Sequence, residues 1–290
     1  MGRLPLPRPV PVADAPERLT PLTAPAQAAE VSEETVGCIW HTSGSTGLPK
    51  PVLISHRALA SRAAAIPRLA RLTPTDRIAQ FTAPCFDAVL WEVFGALAAG
   101  ARLQISAPAD RTPGKALPRF LARYDITAFT CTPAHLAAAP FTELPALRRI
   151  VCGGETLHPA PLAAWIARYR VSNAYGPTEA CVDAVFAEHI CPGEDPAPIG
   201  CPLPGVRAWV LDEQHHPVAE GQPGELYLGG QGLAEGYLGR PQATEAAFLQ
   251  LDLPASGGHL EDISFGEPAV TDEGAGDAGE GQEVVGLALV

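Results

Sequence analysis

Lysine is nearly absent from this 290-residue chain: Lys50 and Lys115 stand beside 18 arginines. No basic stretch interleaves with aromatics, which make up only 6% of residues, so nucleic acid is not an expected partner. No apolar run approaches the roughly 18 residues that a spanning helix needs, and residues 1–8 lack the apolar region of a secretory signal. A membrane is therefore not expected either, and the chain reads as cytoplasmic. Seven cysteines, Cys38, Cys85, Cys131, Cys152, Cys181, Cys191 and Cys201, are odd in number and form no C-x-x-C pair, which argues against a zinc site or a disulfide framework. Reduced thiols are the expectation.

What is present supports a globular core, with 47% hydrophobic residues. The formal charge of −12 is uneven: residues 251–290 carry nine acids and no Lys or Arg, leaving 23 acids against 20 bases before them. Three regions follow. Residues 1–35, rich in Pro and Ala, read as a linker or remnant; residues 36–248 hold the ordered core; residues 249–290 form an acidic, Gly-rich tail that cannot bury enough apolar surface to fold.

Within the core, short strands at 37–40, 52–55, 76–81, 101–106, 128–132, 149–152 and 171–174 alternate with helices at 56–72, 89–99, 118–124 and 159–169. Ser55 is placed to cap the first helix and Gly100 to end the second. From about 205 the pattern changes to strands at 206–211 and 224–228 around a turn, as in a small β unit. This is an α/β protein of mixed sheets with helices, its unusual loops at the carboxyl ends of strands.

The densest of those loops is Thr42-Ser43-Gly44-Ser45-Thr46-Gly47-Leu48-Pro49-Lys50, with four hydroxyls, two glycines and a lysine in nine residues. Hydroxyls and backbone N–H groups suit phosphate oxygens, glycine lets the backbone approach, and lysine adds a point charge. The spacing is not that of a Walker A loop. Taken alone, such a cluster also suits a surface turn.

Three further segments follow it in order: Phe86-Asp87-Ala88-Val89-Leu90-Trp91-Glu92, Asn173-Ala174-Tyr175-Gly176-Pro177-Thr178-Glu179, and residues 224–238, which run from Gly224-Glu225-Leu226 to Gly236-Tyr237-Leu238. Together the four closely resemble the adenylation domains of nonribosomal peptide synthetases, in the adenylate-forming superfamily. The resemblance implies a partial large N-terminal subdomain of that fold, without the C-terminal small subdomain. It implies a reaction of an amino-acid carboxylate with the α-phosphate of Mg-ATP, giving aminoacyl-AMP and pyrophosphate, for transfer to a peptidyl carrier protein bearing phosphopantetheine.

By the same resemblance, Thr42, Ser43, Gly44, Ser45, Thr46, Gly47 and Lys50 hold the β- and γ-phosphates, although Pro51 stands where the family commonly has glycine. Gly153, Gly154 and Glu155 approach the adenine edge; Asn173, Ala174, Tyr175 and Gly176 frame the base. Thr178 serves the α-phosphate and Glu179 binds Mg²⁺. Asn173 and Thr178 would otherwise satisfy a capped turn. Asp87 pairs with the substrate amine, its alternative being a helix N-cap. Ala88, Trp91, Thr130, Ile150, Cys152, Ala174, Val182 and Asp183 line the side-chain pocket, or are ordinary core; they suit a large apolar or aromatic amino acid, with Asp183 accepting from a ring N–H or hydroxyl.

The family also has an Arg-Thr-Gly-Asp segment for the ribose and a catalytic lysine on the small subdomain. Neither is found here, since no R-T-G-D follows Phe248 and no lysine follows Lys115. The resemblance thus implies a fragment truncated at both ends, inactive or weakly active unless a neighbouring synthetase polypeptide supplies the missing groups. The alternatives are a non-catalytic remnant that binds nucleotide or a partner, and a fragment of an acyl-CoA synthetase-type ligase.

Overall fold

A computed structural model describes residues 31–42, 49–219, 221–253 and 283–287. The chain divides into residues 1–32 and 33–290, and every described element lies in the second unit. Strands β1 (Val36–Thr42) and β2 (Lys50–Ser55) pair antiparallel on either side of the glycine loop. Of that loop, Thr42, Pro49 and Lys50 are described, and residues 43–48 lie outside the described residues.

The main sheet has seven strands. They are β3 (Arg77–Gln80), β4 (Arg102–Ile105), β5 (Ala128–Cys131), β6 (Arg149–Gly153), β7 (Arg170–Tyr175), β8 (Val185–Ala187) and β9 (Cys201–Pro202), in the order β4-β3-β5-β6-β7-β8-β9. The first five are parallel, and β8 and β9 run antiparallel. Five parallel neighbours align their carboxyl ends, so the loops leaving them converge on one edge.

Helices α1 (His56–Leu69), α2 (Val89–Ala99), α3 (Ala116–Arg123), α4 (Pro133–Ala138) and α5 (Ala163–Arg168) cover the two faces. The Ser55 hydroxyl accepts from the Ala58 N–H at 3.4 Å to cap α1, and Gly100 ends α2 at φ 66°, a left-handed conformation that favours glycine. On one face α3, α4 and α5 bury Phe120, Leu136 and Trp165 against Phe129, Ile150, Cys152 and Val171. On the other, Ile66, Leu90 and Trp91, joined by Val52 and Ile54 of β2, bury Val151, Ala174 and Phe186. Each such side chain, fully buried, contributes about 1.5–3 kcal/mol. The strand period of two therefore sends Ile150 and Cys152 one way and Val151 the other.

A third sheet joins β10 (Val206–Leu211), β11 (Glu225–Gly230), β12 (Phe248–Leu251) and β13 (Glu283–Leu287) in the order β10-β11-β13-β12, and α6 (Pro241–Ala247) precedes β12. Here the sequence expectation is corrected: two segments at or beyond 248, taken as the end of order, are paired strands. Glu283-Val284-Val285-Gly286-Leu287 contains two adjacent β-branched residues, and adding to β11 and β12 gives its backbone partners. Residues 254–282 and 288–290, the remainder of that expectation, lie outside the described residues. Among the described residues no helix is long and apolar enough to cross a membrane.

Candidate functional site

Parallel strands β3 and β7 lead at their carboxyl ends into the 86–92 and 173–179 motifs, and β6 leads into Gly154 and Glu155 between them. Gly176 makes this possible: a Cβ there would stand 2.6 Å from Asp183 Cα and 2.7 Å from Ala184 N, so only glycine lets the chain fold back after β7. The returning turn is strained, with Cys181 at φ 59° and Val182 at φ 73°. Positive φ at a β-branched residue costs on the order of 1–3 kcal/mol. Arg62, buried in α1, holds the turn by donating from Nε to the Cys181 carbonyl at 3.1 Å and from Nη2 to that of Ala180 at 3.4 Å.

The Thr178 hydroxyl donates to Asp87 Oδ2 at 2.5 Å. Asp87 is not the N-cap of α2; the cap position is Ala88 and makes no side-chain bond. Burial pushes the Asp87 carboxyl up, the Thr178 hydrogen bond opposes that, and the nearby Glu179 charge adds to it. Glu179 accepts from the Tyr237 hydroxyl at 2.6 Å, and Lys50 Nζ lies 4.9 Å from the Tyr237 ring centroid. Tyr237 reaches this place because residues 235–238 run alongside β2, with Leu53 N–H donating to the Gly236 carbonyl and Leu238 N–H to that of Pro51. Thr42 Oγ1 is shut off from solvent and has no hydrogen-bond partner among the described residues. Tyr237 thus joins Lys50 to Glu179, and Thr178, the residue before Glu179 in the chain, carries the hydrogen bond to Asp87.

Beside it, Ala88, Trp91, Val151, Ala174 and Val182 form one apolar cluster. Trp91 stacks on Phe186 at 5.6 Å, and its indole N–H donates to Asp183. The acceptor that the sequence reserves for a substrate ring is thus occupied by the protein's own indole. Burial, opposed by Arg62 and by the Trp91 hydrogen bond, pushes Asp183 up to about 7. A carboxyl so raised holds its proton in the folded state and not in the unfolded one, so folding stability falls as pH rises from about 4 to about 7 and is level above. Asp183→Asn, which keeps an acceptor for Trp91, is expected to be more stable than the parent at pH 8 by on the order of a few kcal/mol, the gap closing toward pH 4. Unfolding curves at both values check this; a pH-independent difference contradicts it.

Two assigned pocket residues do not come to the site. Ile150 and Cys152 face the opposite core, and the pleat places Val151 and Gly153 on the site face in their stead. A one-residue slip reverses every side chain of a strand, and the shared parity of 151 and 153 was the available signal. Asn173 is also displaced from its expected role, since it is buried and its Nδ2 donates to the Pro198 carbonyl at 3.1 Å. Glu155 accepts from Ala134 N–H at 3.1 Å at the start of α4. Gly153 ends β6 and Gly154 follows it at φ 79°. Thr130 is held at the site's edge by donating to Glu92 at 2.8 Å. Glu92, fully buried, and Arg62 were given no role by sequence reasoning, as neither position is unusual for a helix.

The family model for AMP-binding enzymes matches residues 5–238. The chain belongs to that family. Relatives of this AMP-binding enzyme segment include the probable non-canonical nonribosomal peptide synthetase CymA of Salinispora arenicola, 42% identical over 76% of this chain and 3% of that protein. Bacitracin synthase 3 of Bacillus licheniformis is 38% identical over 73% of the chain and 3% of its own length. Among solved structures, the Klebsiella oxytoca NpsA N-terminal subdomain in complex with 3-hydroxybenzoyl-AMSN superposes with a TM-score of 0.68 at 29% identity, over 78% of this chain and 58% of that one. The Vibrio cholerae adenylation domain AlmE, in complex with glycyl-adenosine-5'-phosphate, gives 0.70 at 27% identity over 76% and 44%. An artificially fused adenylation–PCP di-domain, NpsA-ThdA of K. oxytoca, gives 0.70 at 26% over 91% and 50%. The expected kinship with nonribosomal peptide synthetase adenylation domains, and the α/β N-terminal subdomain fold, hold. The chain spans a few per cent of those synthetases and about half of the solved chains.

Proposed function

We propose that this AMP-binding segment binds Mg-ATP and an apolar or aromatic amino acid, and supports formation of the aminoacyl adenylate. The observation that carries the reading is that the loop leaving β7 pairs Thr178 with Asp87 and, one residue on, Glu179 with Tyr237, whose ring lies beside Lys50. The AlmE structure, which holds an aminoacyl adenylate, supports it.

In this reaction a carboxylate oxygen of the amino acid bonds to the α-phosphorus as the bond to the bridging oxygen of pyrophosphate breaks, and pyrophosphate leaves with that electron pair. No covalent enzyme intermediate is needed, so catalysis rests on position and charge. Asp87 takes the substrate ammonium, displacing the Thr178 hydroxyl that it holds in this structure. Thr178, released, donates to an α-phosphate oxygen. Lys50 and the buried Thr42 hydroxyl, without a partner among the described residues, serve the outer phosphates. Among the described residues no group of three His, Cys, Asp or Glu is placed to hold a metal; a single carboxylate completed by substrate phosphates is how Mg²⁺ is commonly held, and Glu179 fits that. When bound, Mg²⁺ supplies charge that offsets the phosphate oxygens. Ala88, Val151, Gly153, Ala174 and Val182 meet the amino-acid side chain, with the Trp91–Asp183 pair as the far wall.

The sequence holds two lysines, and Lys50 is assigned to the leaving phosphates. Charge stabilisation of that kind is worth about 10²–10³ in rate per group, so activation by this chain alone is slow while nucleotide binding persists. Transfer of the acyl group to a carrier protein thiol is the accompanying step. Mg-ATP at 100 times its Kd is expected to stabilise the fold by about 2.7 kcal/mol. Lys50→Ala is expected to weaken ATP by roughly 10- to 100-fold, the worth of a charged hydrogen bond to phosphate. Melting curves measure both; an unshifted melting temperature with saturating Mg-ATP would sink the reading.

A further inference from the structure

At the other end of the sheet, where β6 and β7 begin, a group of arginines lies outside the adenylate site. Arg149 opens β6 and is 7% exposed, yet its Nε and Nη1 have no hydrogen-bond partner among the described residues. Arg170 opens β7 and is its direct register neighbour. Arg71 follows α1, and its Nη2 lies 2.6 Å from Glu188 Oε1, the same oxygen that stands 3.7 Å from Arg170 Nη2. One carboxylate thus pairs with two guanidinium groups and acts on Arg149 only through its charge.

The other nearby acid is already engaged. Asp76 is buried and receives Arg148, the Thr127 hydroxyl and the N–H and hydroxyl of Thr73. Burial alone would raise its carboxyl, but those hydrogen bonds more than offset this and hold it below the usual range. For Arg149 the effects run the other way: burial lowers it, and the charges of Arg170 and Arg71 push in the same direction, with Glu188 opposing.

A buried guanidinium with unpaired donors is costly, and natural interiors supply such groups with an acceptor. Guanidinium matches the planar, bidentate pattern of an oxyanion, and here two positive charges remain after Glu188 is counted. We propose that Arg149, Arg170 and Arg71 form a second anion site that takes a phosphate-type dianion, either free or as the phosphoryl group of a nucleotide. Four strand steps separate Arg149 from Gly153, which puts this site about 13 Å along β6 from the adenylate edge. It is therefore distinct from the loop at 42–50, and its occupancy does not depend on the reading proposed for that loop.

The test titrates the full chain with inorganic phosphate against chloride at matched ionic strength, following melting temperature and binding heat. A saturable rise with phosphate is expected that Lys50→Ala retains, since that variant disables the other phosphate locus. Arg170→Gln and Arg71→Gln, at positions 38% and 58% exposed and so safe for folding, are each expected to weaken phosphate at least tenfold. Arg149→Gln is expected to abolish it. In the Lys50→Ala background, an AMP effect that Arg170→Gln removes marks a nucleotide phosphoryl as the ligand, and an AMP effect that Arg170→Gln leaves unchanged belongs to the adenylate site and marks the free ion as the ligand here; both support the site when phosphate itself responds to Arg170→Gln. Phosphate no better than chloride means that water alone fills the position, and the proposal fails. It fails equally if Lys50→Ala removes the effect, or if Arg170→Gln and Arg71→Gln leave it intact.

Discussion

Asp87→Ala is expected to weaken binding of a non-hydrolysable aminoacyl-adenylate analogue by roughly 30-fold or more, while leaving AMP binding within about twofold of the parent. Removing one member of a desolvated charge pair costs about 2–5 kcal/mol, because the substrate ammonium is left buried without its partner. Asp87 is half-buried, its carboxyl is pushed up by burial, and the Thr178 hydroxyl at 2.5 Å is what it holds in place of an amine. The AMP arm distinguishes recognition from structure. Equal losses for both ligands would mean that Asp87 serves only to anchor Thr178 and the turn after β7. Asp87→Asn, which keeps the acceptor and drops the charge, is expected to fall between the parent and the alanine variant.

The largest loss of stability is expected at Glu92. Fully buried in α2, it accepts from the Thr82 N–H and hydroxyl, both at 2.9 Å, and from the Thr130 hydroxyl at 2.8 Å, with the Gln80 amide at 3.4 Å. Burial pushes its carboxyl up, and these hydrogen bonds oppose that. The side chain therefore fastens the ends of β3 and β5 to α2, just behind Trp91. Glu92→Ala leaves at least three donors unsatisfied in the interior and opens a cavity, so a loss on the order of 3–5 kcal/mol is expected. Glu92→Gln, close in shape, should recover a good part. Urea unfolding with an unchanged m-value measures this, and a loss under about 1 kcal/mol in the alanine variant contradicts the role.

The motifs were legible because each is a run of unusual chemistry: hydroxyls with glycine and lysine at 42–50, and a tyrosine, glycine, threonine and glutamate together at 175–179. The helix Val89–Ala99 and the strand Val206–Leu211 were equally plain, the first ending at a glycine and the second a largely apolar run before the turn at 212–221. What failed was parity. In β6 every residue from 149 to 152 is buried, so burial gives no face, and assigning Ile150 and Cys152 to the pocket chose the wrong one. Only the packing of α2 against Val151 settles it.

Long-range partners were the second blind spot. Nothing local shows that Asp183 would meet the indole of Trp91, that Asn173 would reach Pro198, or that Tyr237 would lie between Lys50 and Glu179. Glu283–Leu287 was missed for the same reason, since a short apolar run in an acidic tail becomes a strand only when β11 and β12 provide edges. The short helix Pro133–Ala138 escaped too, although Thr132, which accepts from the His135 N–H at 3.3 Å, and Pro133 are ordinary helix-start residues.

The central claim, that the described fold assembles a substrate-binding adenylate site, is tested most directly by calorimetric titration of this chain with a non-hydrolysable aminoacyl-adenylate analogue. One saturable site per chain is predicted, competed by Mg-ATP and weakened by Asp87→Ala. No measurable heat from a folded chain, or binding that neither Mg-ATP nor Asp87→Ala affects, would contradict it.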